Sequence, residues 1–126
     1  MNPLSNLLNF IIMRNNNKIK PIDSKDLDLV TKIKEILNCQ SKNLIEDIYC
    51  YGSRISDRNK NSDFDLVLIT KKNLDWKKEY QYSKIIIDFG IDNDIVFDPQ
   101  FISKNDFKKY SFHPYIQEVI NTGRII

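Results

Sequence analysis

The stretch SDFDLVLIT, residues 62–70, plants two carboxylates at the head of an apolar run. The continuous run over residues 66–69 reads as a strand buried on both faces. A strand's side-chain period of two then puts Asp63 and Asp65 on one face, their α-carbons about 6 to 7 Å apart. Like charges so placed at a half-buried site repel each other unless a cation or a set of donors compensates them. A divalent metal is the simplest compensation. Asp is common in this chain, so the bland alternative is a pair of solvated carboxylates at a strand edge, and the surroundings have to decide between the two.

Those surroundings are informative. Upstream, LIEDIYCYG reads as a strand that stops at Gly52, because Ile48, Tyr49 and Tyr51 favour strands. Gly52 lets the backbone turn tightly, and the amides and hydroxyl of Ser53 can donate to phosphate oxygens. Should a short helix begin at Ser53, its N-terminus adds a favourable partial charge and brings Arg54 within reach of the same phosphates. A Gly-Ser pair alone is far more often a plain turn. Nine residues separate Ser53 from Asp63.

Farther out, Ser24 can cap a helix over about 25–38, with Leu27, Val30, Ile33 and Leu37 forming its apolar stripe and Leu29 and Ile36 widening it. A second helix is expected over about 74–89, on Trp76, Tyr80, Ile85 and Phe89, closed by Gly90. IDNDIVFDP reads as a third strand stopped by Pro99. It offers Asp92 and Asp94 on one face, Asp94 the deeper, so that three carboxylates on neighbouring strands could hold two metals about 3.5 to 4 Å apart. Ser103 and Asp106 have the spacing of a helix cap. A last helix from Pro114 to Asn121, closed by Gly123, precedes a terminal strand.

Composition sets the outer bounds. With 126 residues, 41% hydrophobic and 29% charged, the chain fits one compact domain with a single core. Nineteen basic residues against 17 acidic leave a net charge of +2, which gives no field for direct DNA binding or for an anionic membrane. The run at residues 4–13 is too short to span a bilayer and has no cleavage signature, so a cytoplasmic location is expected. Residues 1–22 read as an N-terminal arm or helix that either covers the core or closes an oligomer, and residues 23–126 as the domain proper. Cys39 and Cys50 lack metal-ligand spacing and are expected to be reduced and buried. His113, ahead of Pro114, reads as a surface or packing residue. Trp76, Tyr80, Tyr82 and Phe89 read as core because they follow helical spacing.

The order strand, Gly-Ser, polar spacer, Asp-apolar-Asp, helix and Asp-bearing strand, written here as YGSRISDRNKNSDFDL and later NDIV, resembles the minimal nucleotidyltransferase domains of the DNA polymerase beta superfamily. The likeness is sharpest over residues 45–98 and extends loosely over 25–126. It implies an α/β (α+β) nucleotidyltransferase fold, a small mixed sheet of three to five strands, with the helices expected on one face. It implies Gly52 and Ser53 as the triphosphate-binding turn with Arg54 beside it, Asp63 and Asp65 as metal ligands, and Asp94 as the third carboxylate. Two Mg²⁺ ions and ATP follow from the same likeness. Stand-alone members commonly accompany a HEPN-type toxin, which implies AMP transfer to a hydroxyl of that partner with release of pyrophosphate. The alternative is a binding module of the same fold that neutralises its partner by contact. Position 57 departs from the family's usual glycine: Asp57 tolerates a left-handed backbone but adds negative charge beside the phosphates.

Overall fold

A computed structural model describes residues 22–56 and 59–126. Nearly all of the N-terminal arm, and Asp57, lie outside the described residues. The chain runs α1 (Ser24–Ser41), β1 (Ile45–Tyr51), a four-residue α2 (Ser53–Ser56), β2 (Phe64–Thr70), α3 (Trp76–Asp92), β3 (Phe97–Ser103), α4 (Lys104–Lys109), α5 (Pro114–Thr122) and β4 (Arg124–Ile125). The strands form one mixed sheet in the order β3-β2-β1-β4, the mixed α/β architecture expected of a nucleotidyltransferase fold. β1 runs antiparallel to β2 and to β4, and β2 runs parallel to β3. A parallel neighbour demands a long crossover, and α3 supplies it.

Alternation along the central strands divides the sheet into two faces. Ile48, Cys50, Phe64, Leu66, Leu68 and Phe97 turn towards the main core, which α1 closes with Leu29, Val30, Ile33 and Leu37 and α3 closes with Tyr82 and Ile86. Tyr49, Val67 and Ile69 turn the other way and meet Phe107 of α4 and Ile116, Val119 and Ile120 of α5 in a smaller core. The helices therefore occupy both faces, not one. β3 passes directly into α4, where the Ser103 hydroxyl accepts from the Asp106 N–H at 3.1 Å as the cap spacing predicts, and this carries the chain onto the second face.

Several local expectations shift. Asp23, not Ser24, caps α1, its carboxylate accepting from the Lys25 N–H at 2.9 Å. Trp76 and Tyr80 are 74% and 68% exposed, so the buried stripe of α3 runs through Tyr82, Ile86 and Gly90 with Ile85 and Phe89 at its margin. Leu27 is exposed on α1, and Cys39 is exposed while Cys50 is buried. His113 caps α5, its Nδ1 accepting from the Tyr115 N–H at 3.2 Å. Among the described residues no helix is long and apolar enough to cross a membrane.

The largest revision concerns the third strand. Helix α3 runs on to Asp92, and Asp94 follows it with φ of 59°. The Asp94 N–H donates to the Ile91 carbonyl at 3.2 Å and the Ile95 N–H to the Gly90 carbonyl at 2.8 Å, which together make a Schellman ending with Asp94 as its left-handed residue. β3 begins only at Phe97 and runs through Pro99.

Candidate active site

The site is built on the second face, at the end of the sheet where β1 leaves and β2 and β3 enter. Asp63 stands exposed just before β2, and Asp65 is half-buried within it. The parallel register sets Asp65 directly beside Asp98 of β3, while the antiparallel register sets it opposite Tyr51 of β1. Tyr51, Asp65 and Asp98 thus form a row across three strands spaced about 4.8 Å apart. Asp98 occupies the position expected of Asp94. The sequence favoured Asp94 because it precedes the apolar IVF, but residues 93–95 are spent ending the helix, and the strand period restarts after them.

Gly52 closes the row on the β1 side. Its φ is 86°, a left-handed backbone that disfavours any side chain, and a Cβ built there would collide with the Asp65 carboxylate. The turn therefore lies against the central acid, which joins the Gly-Ser pair and the Asp-x-Asp pair in one place. Ser53 opens α2 and donates from its hydroxyl to that of Ser62 at 2.8 Å, tying the turn to the residue before Asp63.

Arg54 does not join them. Its guanidinium is buried, held by Asp26 through Nε at 3.1 Å and Nη2 at 3.0 Å, and its Nη1 donates to the Lys60 carbonyl at 2.9 Å. It also lies 5.1 Å above the Phe64 ring. Arg54 is thus a strut between α1 and the loop leading to Asp63, not a side chain reaching for phosphate. Asp26 was legible in principle: it lies four positions before Val30 on the buried stripe of α1, where a carboxylate requires a cation.

The electrostatics fit a cation site. The Asp65 carboxyl is pushed above the ordinary carboxylate range by burial first, then by the charges of Asp98 and Asp63 and by a side-chain hydrogen bond with Asp98. Among the described residues no three acidic, histidine or cysteine side chains are already drawn together as a cation cage. The donor set is nevertheless what a hard divalent ion takes: oxygen ligands crowded by like charge. Tyr51 and Tyr115 border the row, their hydroxyls 3.0 Å apart and their rings in an edge-on pair at 6.0 Å. Burial comes first in raising both phenols, and the charges of Asp65 and Asp98 add to it.

A protein-family model described as Polymerase beta, Nucleotidyltransferase matches residues 31–126. Comparison with curated proteins and with solved structures finds no significant match.

Proposed function

Because the chain belongs to the polymerase beta nucleotidyltransferase family, we propose that it transfers a nucleoside monophosphate, AMP from ATP, to a hydroxyl group of a partner protein, with release of pyrophosphate. The observation that carries this reading is the contact of Gly52 with Asp65, which itself lies in register with Asp98. A phosphate-binding turn and a carboxylate row are useful to each other only when they are adjacent.

In this reading Gly52 and Ser53 meet the triphosphate, while Asp63, Asp65 and Asp98 hold Mg²⁺, with Asp98 in the role that the sequence pattern suggested for Asp94. Mg²⁺ bound there supplies neutralisation of phosphate charge and polarisation of the α-phosphate. Asp98, on the strand farthest from Gly52, orients the attacking hydroxyl and takes its proton. Gly52 and Asp65 keep the two ends of the site in contact, and Arg54 holds the loop that leads to Asp63. The choice of ATP and of a HEPN-type toxin as acceptor rests on the resemblance of the sequence motifs.

The test is incubation of the chain and its neighbouring gene product with labelled ATP and Mg²⁺. Label on the partner is expected, abolished by Asp98→Asn and retained by Asp94→Asn. A partner neutralised without label would establish action by contact alone, and loss of label with Asp94→Asn in place of Asp98→Asn would overturn the assignment of the third carboxylate.

A further inference from the structure

Helix α3 packs Tyr82 and Ile86 into the main core, yet its outward side carries a second apolar stripe. Trp76, Tyr80, Ile87 and Ile91 are 74%, 68%, 38% and 63% exposed. At 3.6 residues per turn these four fall within an arc of about 60° on one side of the helix. The outer side of a surface helix is ordinarily polar, and a run of exposed large apolar residues marks a contact surface. The core of the first face and the sheet itself separate this stripe from the carboxylate row, so it is no part of the candidate active site.

The steps between the four are four, seven and four residues, the same read in either direction. Contacts across a two-fold axis have that reciprocity, because a residue i that meets j is met in turn by the i of the other copy. Laid antiparallel on the α3 of a second copy, with the axis crossing between Ser83 and Lys84, Trp76 of each copy meets Ile91 of the other and Tyr80 meets Ile87. The charges agree with this register. Lys77 and Asp88 lie on the same flank of the stripe, and antiparallel pairing brings Lys77 of one copy to within about 3 Å, along the axis, of the level of Asp88 of the other. A parallel pairing would instead set Lys77 against Lys77 and Asp88 against Asp88. The Lys77 ammonium already stands at the end of the stripe, 5.7 Å from the centre of the Trp76 ring. Lys84, the charge nearest the axis, is drawn aside to Asp88 at 2.8 Å, which leaves Ser83 in the seam. The 17-residue helix is about 25 Å long, so the contact buries on the order of 1,000 Å² in total, the small end of specific interfaces and suited to a reversible dimer.

We propose that the outward side of α3 binds a second copy of this chain, helix against helix and antiparallel about a two-fold axis between Ser83 and Lys84, with Trp76 and Tyr80 as the anchors. Tryptophan and tyrosine are the residues on which such contacts most depend. The pairing is independent of nucleotidyl transfer. Because the acids open on the far face of the sheet, both copies keep the carboxylate row accessible while paired.

Trp76 is the chain's one tryptophan, so its fluorescence reports on the stripe directly. Sedimentation of the full chain over a wide concentration series should show monomer passing to dimer, with the Trp76 emission shifting to the blue over the same range. Ile87→Glu, at an exposed position where circular dichroism should show an unchanged fold, places an unpaired charge in the seam and should weaken association by about tenfold or more. The register is read by cross-linking in a Cys39→Ser background, which removes the exposed native thiol. Trp76→Cys mixed with Ile91→Cys should join through a short bismaleimide, whereas neither should link to itself, its two thiols lying about 22 Å apart along the axis. Trp76→Cys linking to itself would overturn the antiparallel register, and a dimer indifferent to Ile87→Glu would place the contact elsewhere and overturn the proposal. A chain that stays monomeric throughout overturns it as well: emission already shifted to the blue would then assign the stripe to a segment of the same chain, such as the apolar residues 4–13, and emission of an exposed indole would leave it to a different protein.

Discussion

Leu66 and Asp65 are neighbours on one strand and live in different solvents. Leu66 is wholly buried between α1, α3 and the sheet, whereas Asp65 opens on the other face among Tyr51, Asp98 and the turn at Gly52. The first face is closed by apolar packing, and the buried charges described there, Asp26 and Arg54, pair with each other. The second face is half closed: α4 and α5 seal Val67 and Ile69 and leave the row of acids next to an open hollow. The sheet thus separates what holds the molecule together from what acts, and the strand period of two makes that separation at every step.

Substitutions can break that comparison. The largest effect is expected from Asp65→Asn, which should lower transfer on the order of a thousandfold while leaving urea-induced unfolding without Mg²⁺ unchanged or shifted slightly towards stability, since it relieves like-charge repulsion. A marked loss of stability would mean that Asp65 belongs to the structural half. Asp26→Ala should destabilise by about 3 to 5 kcal/mol, because it strands a buried guanidinium, and it should also reduce transfer by loosening the loop held through the Lys60 carbonyl. Leu66→Ala should cost about 2 to 5 kcal/mol by chemical denaturation and leave the transfer rate of the protein that remains folded near normal.

A finer test uses pH. Because the native Asp65 carboxyl is raised, the folded chain binds more protons than the unfolded one over the interval from the ordinary value of 3.8 up to the native value. The Asp65 contribution to the stability of the metal-free protein is therefore fully present below that interval and lost as pH rises through it, and Asp65→Asn should remove that part of the slope while the raised Asp47 carboxyl keeps its own. The smallest effect belongs to the solvent side of α3. The exposed Lys84–Asp88 pair, 2.8 Å apart, should contribute no more than about 0.5 kcal/mol, so Lys84→Ala should barely move the denaturation midpoint.

Much of this was readable in the chain. The apolar run of β2, the glycine that ends β1 and the helical spacing of α1 each rest on local rules, and the polar spacer between Ser53 and Asp63 is fixed in length by the sequence. The same local rules misled where two patterns overlapped. Residues 91–98 satisfy a strand reading from Ile91 and a helix ending at Asp92 equally well until the Gly90 and Ile91 carbonyls are seen to accept from Ile95 and Asp94. Arg54 invited a phosphate because charge is usually solvated or functional. Its true partner lies 28 residues earlier, on another element. Trp76 and Tyr80 fit the helical period but fell on its outer side, since periodicity defines a stripe without saying which stripe the sheet will cover.

By itself the sequence determined that acids would gather at one end of a buried strand beside a Gly-Ser turn, because side-chain alternation and a left-handed glycine are properties of the local backbone. Only the tertiary structure decided that Asp98 completes the row, that Arg54 turns inward and that Tyr51 and Tyr115 border a hollow. Each of these depends on register between strands or on contact between elements far apart in the chain, and such distances are fixed only when the sheet has formed.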